Sequence, residues 1–384
     1  MVRQVYLDHA ASTRVRPEIL EAMLPFYGER FGNPSSAHRW GREARAALEE
    51  ARERVAAALG AQRGEIIFTS GGTEADNLAV QGRVRAARAA GDRPVIACSA
   101  IEHKAVITAL KAAAHEGAVP ILIAVDNDGT IDMPALRQAL QQKPALLAVM
   151  WVNNEVGSVQ PIPEIAAMCQ EAGVILHTDA IQAFGKLPVR VVDGIASLAI
   201  SGHKIGAPKG IGALYVRTGT ELSATQQGGS QERGLRPGTE NIAHAIGLSV
   251  AVELAAREQA AEAVRLGGLR DRLQALLESG IAELIVNARG ATRAPHILNV
   301  SLRGVEQDAL LVSLDMEGIA VSTASACQSG AAEPSHVLVA MGRGSADEAA
   351  LRLSLGKTST DAEIEYVGGA LPAIVERVRA YQTA

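Results

Sequence analysis

The chain has 384 residues, of which 21% are charged and 3% aromatic, with a formal net charge of -5. That length exceeds what one core usually supports, so two domains with a sizeable interior are expected. The slightly acidic balance, with no basic block carrying interleaved aromatics, argues against nucleic acid as a partner, and no uncharged run is long enough to span a bilayer.

Residues 1–8 lack the apolar stretch of a signal peptide, so a cytoplasmic protein without a membrane segment is expected. From residue 65 to 216, short apolar runs at 66–69, 95–98, 119–125, 146–152, 174–178, 198–200 and 213–216 alternate with segments of helical period. This alternation predicts a mostly parallel sheet covered by helices. The runs at 120–125 and 145–152 are apolar throughout and read as central strands buried on both faces. In such a sheet, ligands collect beyond the carboxyl ends of the strands.

The polar residues at those ends follow in chain order. Residues 69–77 leave a strand through Gly71 and Gly72 and enter a helix at Thr73, a turn whose free N–H groups suit a phosphate and equally suit a plain helix cap. His103 follows the second strand, where an imidazole either stacks on a ring and moves protons or serves structure alone. Asn153 and Asn154 come after 146–152 and read either as hydrogen-bond donors to a carboxylate or ring oxygen, or as turn formers. Asp179 sits just past 174–176, placed either to pair a protonated ring nitrogen or to cap the next helix, and Gln182 is in reach of a phenolate oxygen. Ser201, His203 and Lys204 follow 196–200. An amine desolvated there condenses with an aldehyde such as pyridoxal phosphate, whereas an isolated strand-end lysine more commonly snorkels to the surface.

Residues 240–279 contain no proline and suit one long helix or a pair joined near Gly267 and Gly268, linking the two domains. Strands at 296–302, 319–322 and 351–355 with helices at 306–316, 334–341 and 361–381 then make a smaller α+β domain. Cys98, Cys169 and Cys327 are widely separated and odd in number, which fits neither a disulfide framework nor a paired-cysteine zinc site. Cys98 and Cys169 read as small buried hydrophobes. Residues 322–334 are small and polar without apolar anchors, so an exposed loop is expected to display Cys327 as either a working nucleophile or a harmless thiol.

Taken together, the blocks at 7–13, 32–36, 69–77, 153–157, 177–182, 201–204 and 325–327 resemble those of cysteine desulfurases of the class V aminotransferase family. The likeness spans almost the whole chain. The long loop with Ser325-Ala326-Cys327, followed by 333–338, is similar to the group containing the nitrogen-fixation and iron–sulfur housekeeping desulfurases. The resemblance implies the α/β, fold type I architecture of pyridoxal-phosphate-dependent transferases. A mostly parallel seven-stranded sheet would form a large domain at 14–256, and 1–13 with 257–384 a smaller α+β domain. It implies a homodimer, pyridoxal 5'-phosphate as cofactor, L-cysteine as substrate, and a sulfur-acceptor or iron–sulfur scaffold protein as partner.

The same resemblance implies roles by position. Lys204 holds the cofactor and moves the Cα proton; Cys327 takes the sulfur as a persulfide, leaving alanine; and His103 stacks on the ring and carries protons. Gly72, Thr73, Ser201 and His203 hold the phosphate, with Thr239 reaching the neighbouring subunit's phosphate. Asp179 pairs the ring nitrogen and Gln182 contacts the phenolate, while Asn33, Asn154 and Arg352 fix the substrate carboxylate. No resident metal is implied, with Cys327 a transient ligand to an iron–sulfur cluster. The chain departs from the family's pattern at 205–210 and in the small, glycine-rich 328–332, so acceptor preference does not carry over. A lyase or aminotransferase for another amino acid would not need Cys327, and a catalytically silent scaffold would not need Lys204, Asp179 and His103 together.

Overall fold

The computed structural model describes residues 3–323, 335–345 and 347–382, so Cys327 lies outside the described residues. In chain order the elements are β1 (Val5–Tyr6), α1 (Pro17–Met23), α2 (Arg39–Leu59), β2 (Ile66–Thr69), α3 (Gly72–Ala89), β3 (Val95–Ser99), α4 (Lys104–His115), β4 (Val119–Ile123) and α5 (Met133–Gln141). Then come β5 (Leu146–Ala148), α6 (Ile162–Ala172), β6 (Leu176–Asp179), β7 (Ile195–Ser201), β8 (Gly212–Val216) and α7 (Ile242–Gly280). The remainder holds β9 (Leu284–Val286), β10 (Ile297–Arg303), α8 (Gln307–Met316), β11 (Ile319–Ala320), β12 (Ser322–Thr323), α9 (His336–Ala340), β13 (Glu348–Ser354) and α10 (Asp361–Gln382).

Among the described residues, a seven-stranded sheet runs in the order β2-β8-β7-β6-β5-β3-β4, parallel except where β8 lies antiparallel to both neighbours. Leu147, Leu176, Leu198 and Ile200 of its middle strands are buried with Ile162 and Ile165 of α6 and with Leu48, Val55 and Leu59 of α2 in the largest core. The buried positions of α2 recur at intervals of three and four, the stripe by which a helix covers a sheet, and Gly60 ends it in the left-handed conformation at φ 74°. A second core gathers Leu7, Leu269, Leu273, Leu298, Leu351, Leu353 and Val375 around the antiparallel sheet β12-β13-β10-β9.

One expectation is corrected and one open choice is decided. The apolar run at 120–125 is not a central strand: β4 is the edge of the large sheet, with Leu122 57% exposed. Pro120 explains the position, since a residue without an N–H is tolerated where no further strand follows. Of the two readings open for 240–279, the single helix is the one found, over residues 242–280. Leu266, Leu269, Leu273 and Leu277 continue one buried stripe past the glycines, and that burial outweighs the roughly 1 kcal/mol propensity cost of each. The domain boundary expected at 256/257 therefore falls inside α7.

Candidate active site

The carboxyl ends of β2, β3, β5, β6 and β7 open on one cavity of about 420 Å³. Gly72 and Thr73 begin α3 there, and His103 caps α4. Asn154 follows the β5 connection, Asp179 ends β6, Ser201 ends β7, and His203 and Lys204 occupy the tight turn after it. Gln182 and Arg352 complete the set. Ten of the positions singled out from sequence thus share one space. Asn33 does not line it: it is exposed, with its Oδ1 accepting from the Ser35 N–H at 2.9 Å. Thr239 is exposed and also outside the cavity.

Lys204 Nζ donates to the Ala10 and Ala11 carbonyls at 2.6 and 2.7 Å. Desolvation, aided by the Arg352 charge, lowers its ammonium to a pKa of about 8, so roughly a tenth of the amine is neutral at pH 7, far more than for an ordinary lysine. Asp179 accepts from the Ile181 N–H at 2.8 Å, and burial followed by the neighbouring Asp76 carboxyl pushes it up to about 8. Asp76 itself is fully buried and raised to about 8, with His177 Nε2 at 3.2 Å from its Oδ1 and the other oxygen unpartnered. Glu102, also fully buried, accepts from the Met150 N–H at 2.7 Å and is raised well above its usual value by desolvation. Asp179 on the cavity wall, with Asp76 and Glu102 buried near it, thus belongs to a group of carboxyls without a full complement of cations, an arrangement that favours a positive group beside Asp179.

The two asparagines divide their expected jobs. Asn153 is fully buried as a turn former, its Oδ1 accepting from the N–H groups of Glu155 and Val156, which leaves Asn154 on the cavity wall. Arg352 donates to the Asn154 carbonyl and to Asp8 Oδ1, both at 2.9 Å, while its buried Nε has no partner. Gln182 donates to the Ala10 carbonyl at 2.9 Å and lies 3.2 Å from His296 Nε2 through its Oε1. Sequence reasoning assigned no part to Asp8, the carbonyls of Ala10 and Ala11, Glu155 or His336. The first three lie in the block at 7–13 that carries the resemblance, but a main-chain carbonyl leaves no mark in residue identity.

The match to a family model described as aminotransferase class-V extends over residues 5–367. The chain belongs to that family. It is 43% identical over 386 residues to a protein of Dictyoglomus turgidum named cysteine desulfurase IscS, covering 99% of this chain and 96% of that one. Among solved structures it resembles one titled NifS-like protein, with a TM-score of 0.90, 32% identity, and coverage of 98% of this chain and 100% of that chain. It also resembles SspA in complex with cysteine, with a TM-score of 0.77, 34% identity, and coverage of 91% and 98%.

Members of the family use pyridoxal 5'-phosphate, and so does this chain. The cavity fits the coenzyme on its own terms. The desolvated Lys204 amine suits an aldehyde, the raised Asp179 carboxyl suits a ring nitrogen that carries a proton, and the N-terminus of the 18-residue α3 suits a phosphate. Gly72 belongs to that cradle: a Cβ there would stand 2.0 Å from Ile181 Cδ1, so a larger residue would push Ile181 aside where it lines the cavity.

Proposed function

We propose that the chain is a cysteine desulfurase that removes sulfur from L-cysteine, releases L-alanine and carries the sulfur as a persulfide on Cys327. The observation that carries the reading is the meeting of a desolvated Lys204 amine, a buried Asp179 carboxyl and an Arg352 guanidinium with a spare buried donor in one cavity.

Each of these groups has a part that follows from its surroundings. Lys204, neutral in part near pH 7, holds the coenzyme and then accepts and returns the proton at the substrate Cα. Arg352, steadied by Asp8, offers a planar fork for the substrate carboxylate, with Asn154 beside it. Asp179 favours the protonated ring nitrogen, and when bound the coenzyme supplies the electron sink that makes Cα acidic. Gly72, Thr73, Ser201 and His203 would hold the phosphate end, Gln182 would contact the phenolate, and His103 would pack against the ring. The Cys327 thiolate takes the substrate sulfur and passes it to an acceptor for iron–sulfur cluster assembly or tRNA thiolation.

The reading includes a cytoplasmic homodimer. The segment 20–40 displays Leu20, Leu24, Tyr27, Phe31 and Trp40, each at least 50% exposed, more apolar surface than a lone chain ordinarily leaves in water. A partner seated there would bring exposed Asn33 and Thr239 into use. Domains at 14–256 and at 1–13 with 257–384 are supported by the separate cores into which the first and second halves of α7 pack.

Mass spectrometry after incubation with cysteine tests the proposal. One added sulfur atom is expected on Cys327, with Cys98 and Cys169 unchanged, and Cys327→Ser is expected to stop alanine formation while the protein keeps its coenzyme. Alanine formation at an unchanged rate by the serine variant would overturn it.

A further inference from the structure

The cavity contains three imidazoles, those of His103, His203 and His336, and two of them have their tautomers set by main-chain groups. His103 Nδ1 accepts from the Ala105 N–H at 3.1 Å as it caps α4. A neutral imidazole whose Nδ1 lone pair is engaged carries its hydrogen on Nε2, so His103 presents a donor. His336 is arranged the other way: its Nε2 lies 2.9 Å from the Glu102 carbonyl oxygen, which can only accept, so that nitrogen carries the hydrogen. Nδ1 of His336 takes no hydrogen bond among the described residues, and its lone pair is the available acceptor. His203 Nδ1 lies 3.4 Å from the Ser12 hydroxyl, a group that gives or takes, so nothing fixes its tautomer.

Both fixed rings are neutral at pH 7. Burial lowers His103 to about 4, with further contributions from the charges of Lys204, His336 and Lys104. Burial also lowers His336, opposed by its bond to the Glu102 carbonyl and assisted by Lys104 and Lys111 of α4. The residue before the ring is anchored as well. Ser335, which caps α9, donates its hydroxyl to the buried Glu155 carboxyl and accepts from the Val337 N–H at 3.1 Å. Glu155, raised to about 7 by desolvation, adjoins Asn154 on the cavity wall.

We propose that His336, through Nδ1, is the base that receives the thiol proton of the substrate during sulfur transfer, leaving His103 as a donor. The inference rests on the desulfurase reading above and deepens it. In the step, the thiolate of Cys327 forms an S–S bond to the substrate sulfur as the Cβ–S bond breaks. The electron pair of that bond stays with the substrate carbon, which is reduced to the level of the alanine methyl group on protonation. The sulfur is oxidised from thiol to persulfide, and the hydrogen it carried moves to His336 Nδ1.

The test uses coenzyme-loaded full-length protein and His336→Gln, whose side-chain amide can keep the bond to the Glu102 carbonyl but cannot accept a proton at neutral pH. The variant is expected to retain coenzyme content and visible absorbance, to lose on the order of 10²-fold in kcat/KM for cysteine, and to lose the acid limb of the pH profile that lies below 6.5. Independently, nitrogen-15 NMR of wild-type histidines is expected to show His336 and His103 both neutral with hydrogen on Nε2 at pH 7. An unchanged rate and pH profile in the variant, or a wild-type His336 with hydrogen on Nδ1, would overturn the inference while alanine formation by the wild type still upheld the desulfurase reading. If the wild type makes no alanine from cysteine, both fall. Should the glutamine variant fail to fold, the NMR measurement alone decides.

Discussion

Two places in the large domain bury charge, and they do so in opposite ways. Arg52 of α2 meets Glu232 through paired contacts of 2.6 and 2.7 Å, donates to the Ile66 carbonyl at 2.9 Å and lies over the Phe68 ring at 4.8 Å, while Glu232 also accepts from the Phe68 N–H at 2.9 Å. The Glu232 side chain is 1% exposed, yet its charge is matched and its oxygens are engaged. At the Lys204 cavity, Asp179, Asp76 and Glu102 are equally deep but under-compensated, with one oxygen each of Asp76 and Glu102 unpartnered and all three pushed toward the protonated form. Burial alone does not mark a site. Burial with compensation withheld does, because the unmet electrostatic demand is available to a ligand.

This contrast can be broken most decisively by exchanging the outcomes at its two poles. Lys204→Ala is expected to lower alanine formation by at least about 10³-fold, since it removes both the coenzyme tether and a proton carrier, with little change in the urea midpoint of the coenzyme-free protein. Arg52→Ala should do the reverse in kind. It leaves Glu232 buried without its cation and is expected to destabilise the fold by about 3–5 kcal/mol in denaturant unfolding. The solvent-facing Arg39–Glu43 pair supplies the control, for Arg39→Ala should leave the midpoint where it was.

A subtler test concerns pH. Asp179 is raised from 3.8 to about 8, so between those values the folded coenzyme-free protein binds more protons at this group than the unfolded chain does. Stability therefore falls as pH rises from about 4 to about 8, and Asp179→Asn is expected to flatten that slope in unfolding titrations. The coenzyme-loaded variant should lose on the order of 10²-fold in turnover, because the ring nitrogen no longer faces an anion. A slope identical to wild type would show that Asp179 is compensated after all and would erase the distinction from Glu232.

Much of the cavity is legible in the residue order. Lys204, Asp179, His103 and Thr73 stand just beyond apolar runs, and in a parallel sheet the ends of those runs converge by topology, so position along the chain translates directly into position in space. The run at 120–125 misleads because apolar content does not report whether a strand has a neighbour on each side, and Pro120 is the residue that bears on its place at an edge. The glycines at 267 and 268 leave the choice between one helix and two open for a related reason: helix propensity is a local quantity, and it takes a stripe of buried leucines to outweigh it.

Other features have no local signature. Arg352 is oriented by Asp8, 344 positions away, and the buried pairing of Arg52 with Glu232 spans 180 positions. The direction in which each imidazole offers its lone pair depends on which main-chain group it meets, the Ala105 N–H for His103 and the Glu102 carbonyl for His336. Residue order alone thus determined the kind of sheet, the family and most of the chemical inventory, since these follow from periodicity and from side chains at strand ends. The protonation, tautomer and pairing of that inventory were decided by tertiary structure, because desolvation and hydrogen-bond geometry are properties of what surrounds a group once the chain has closed around it.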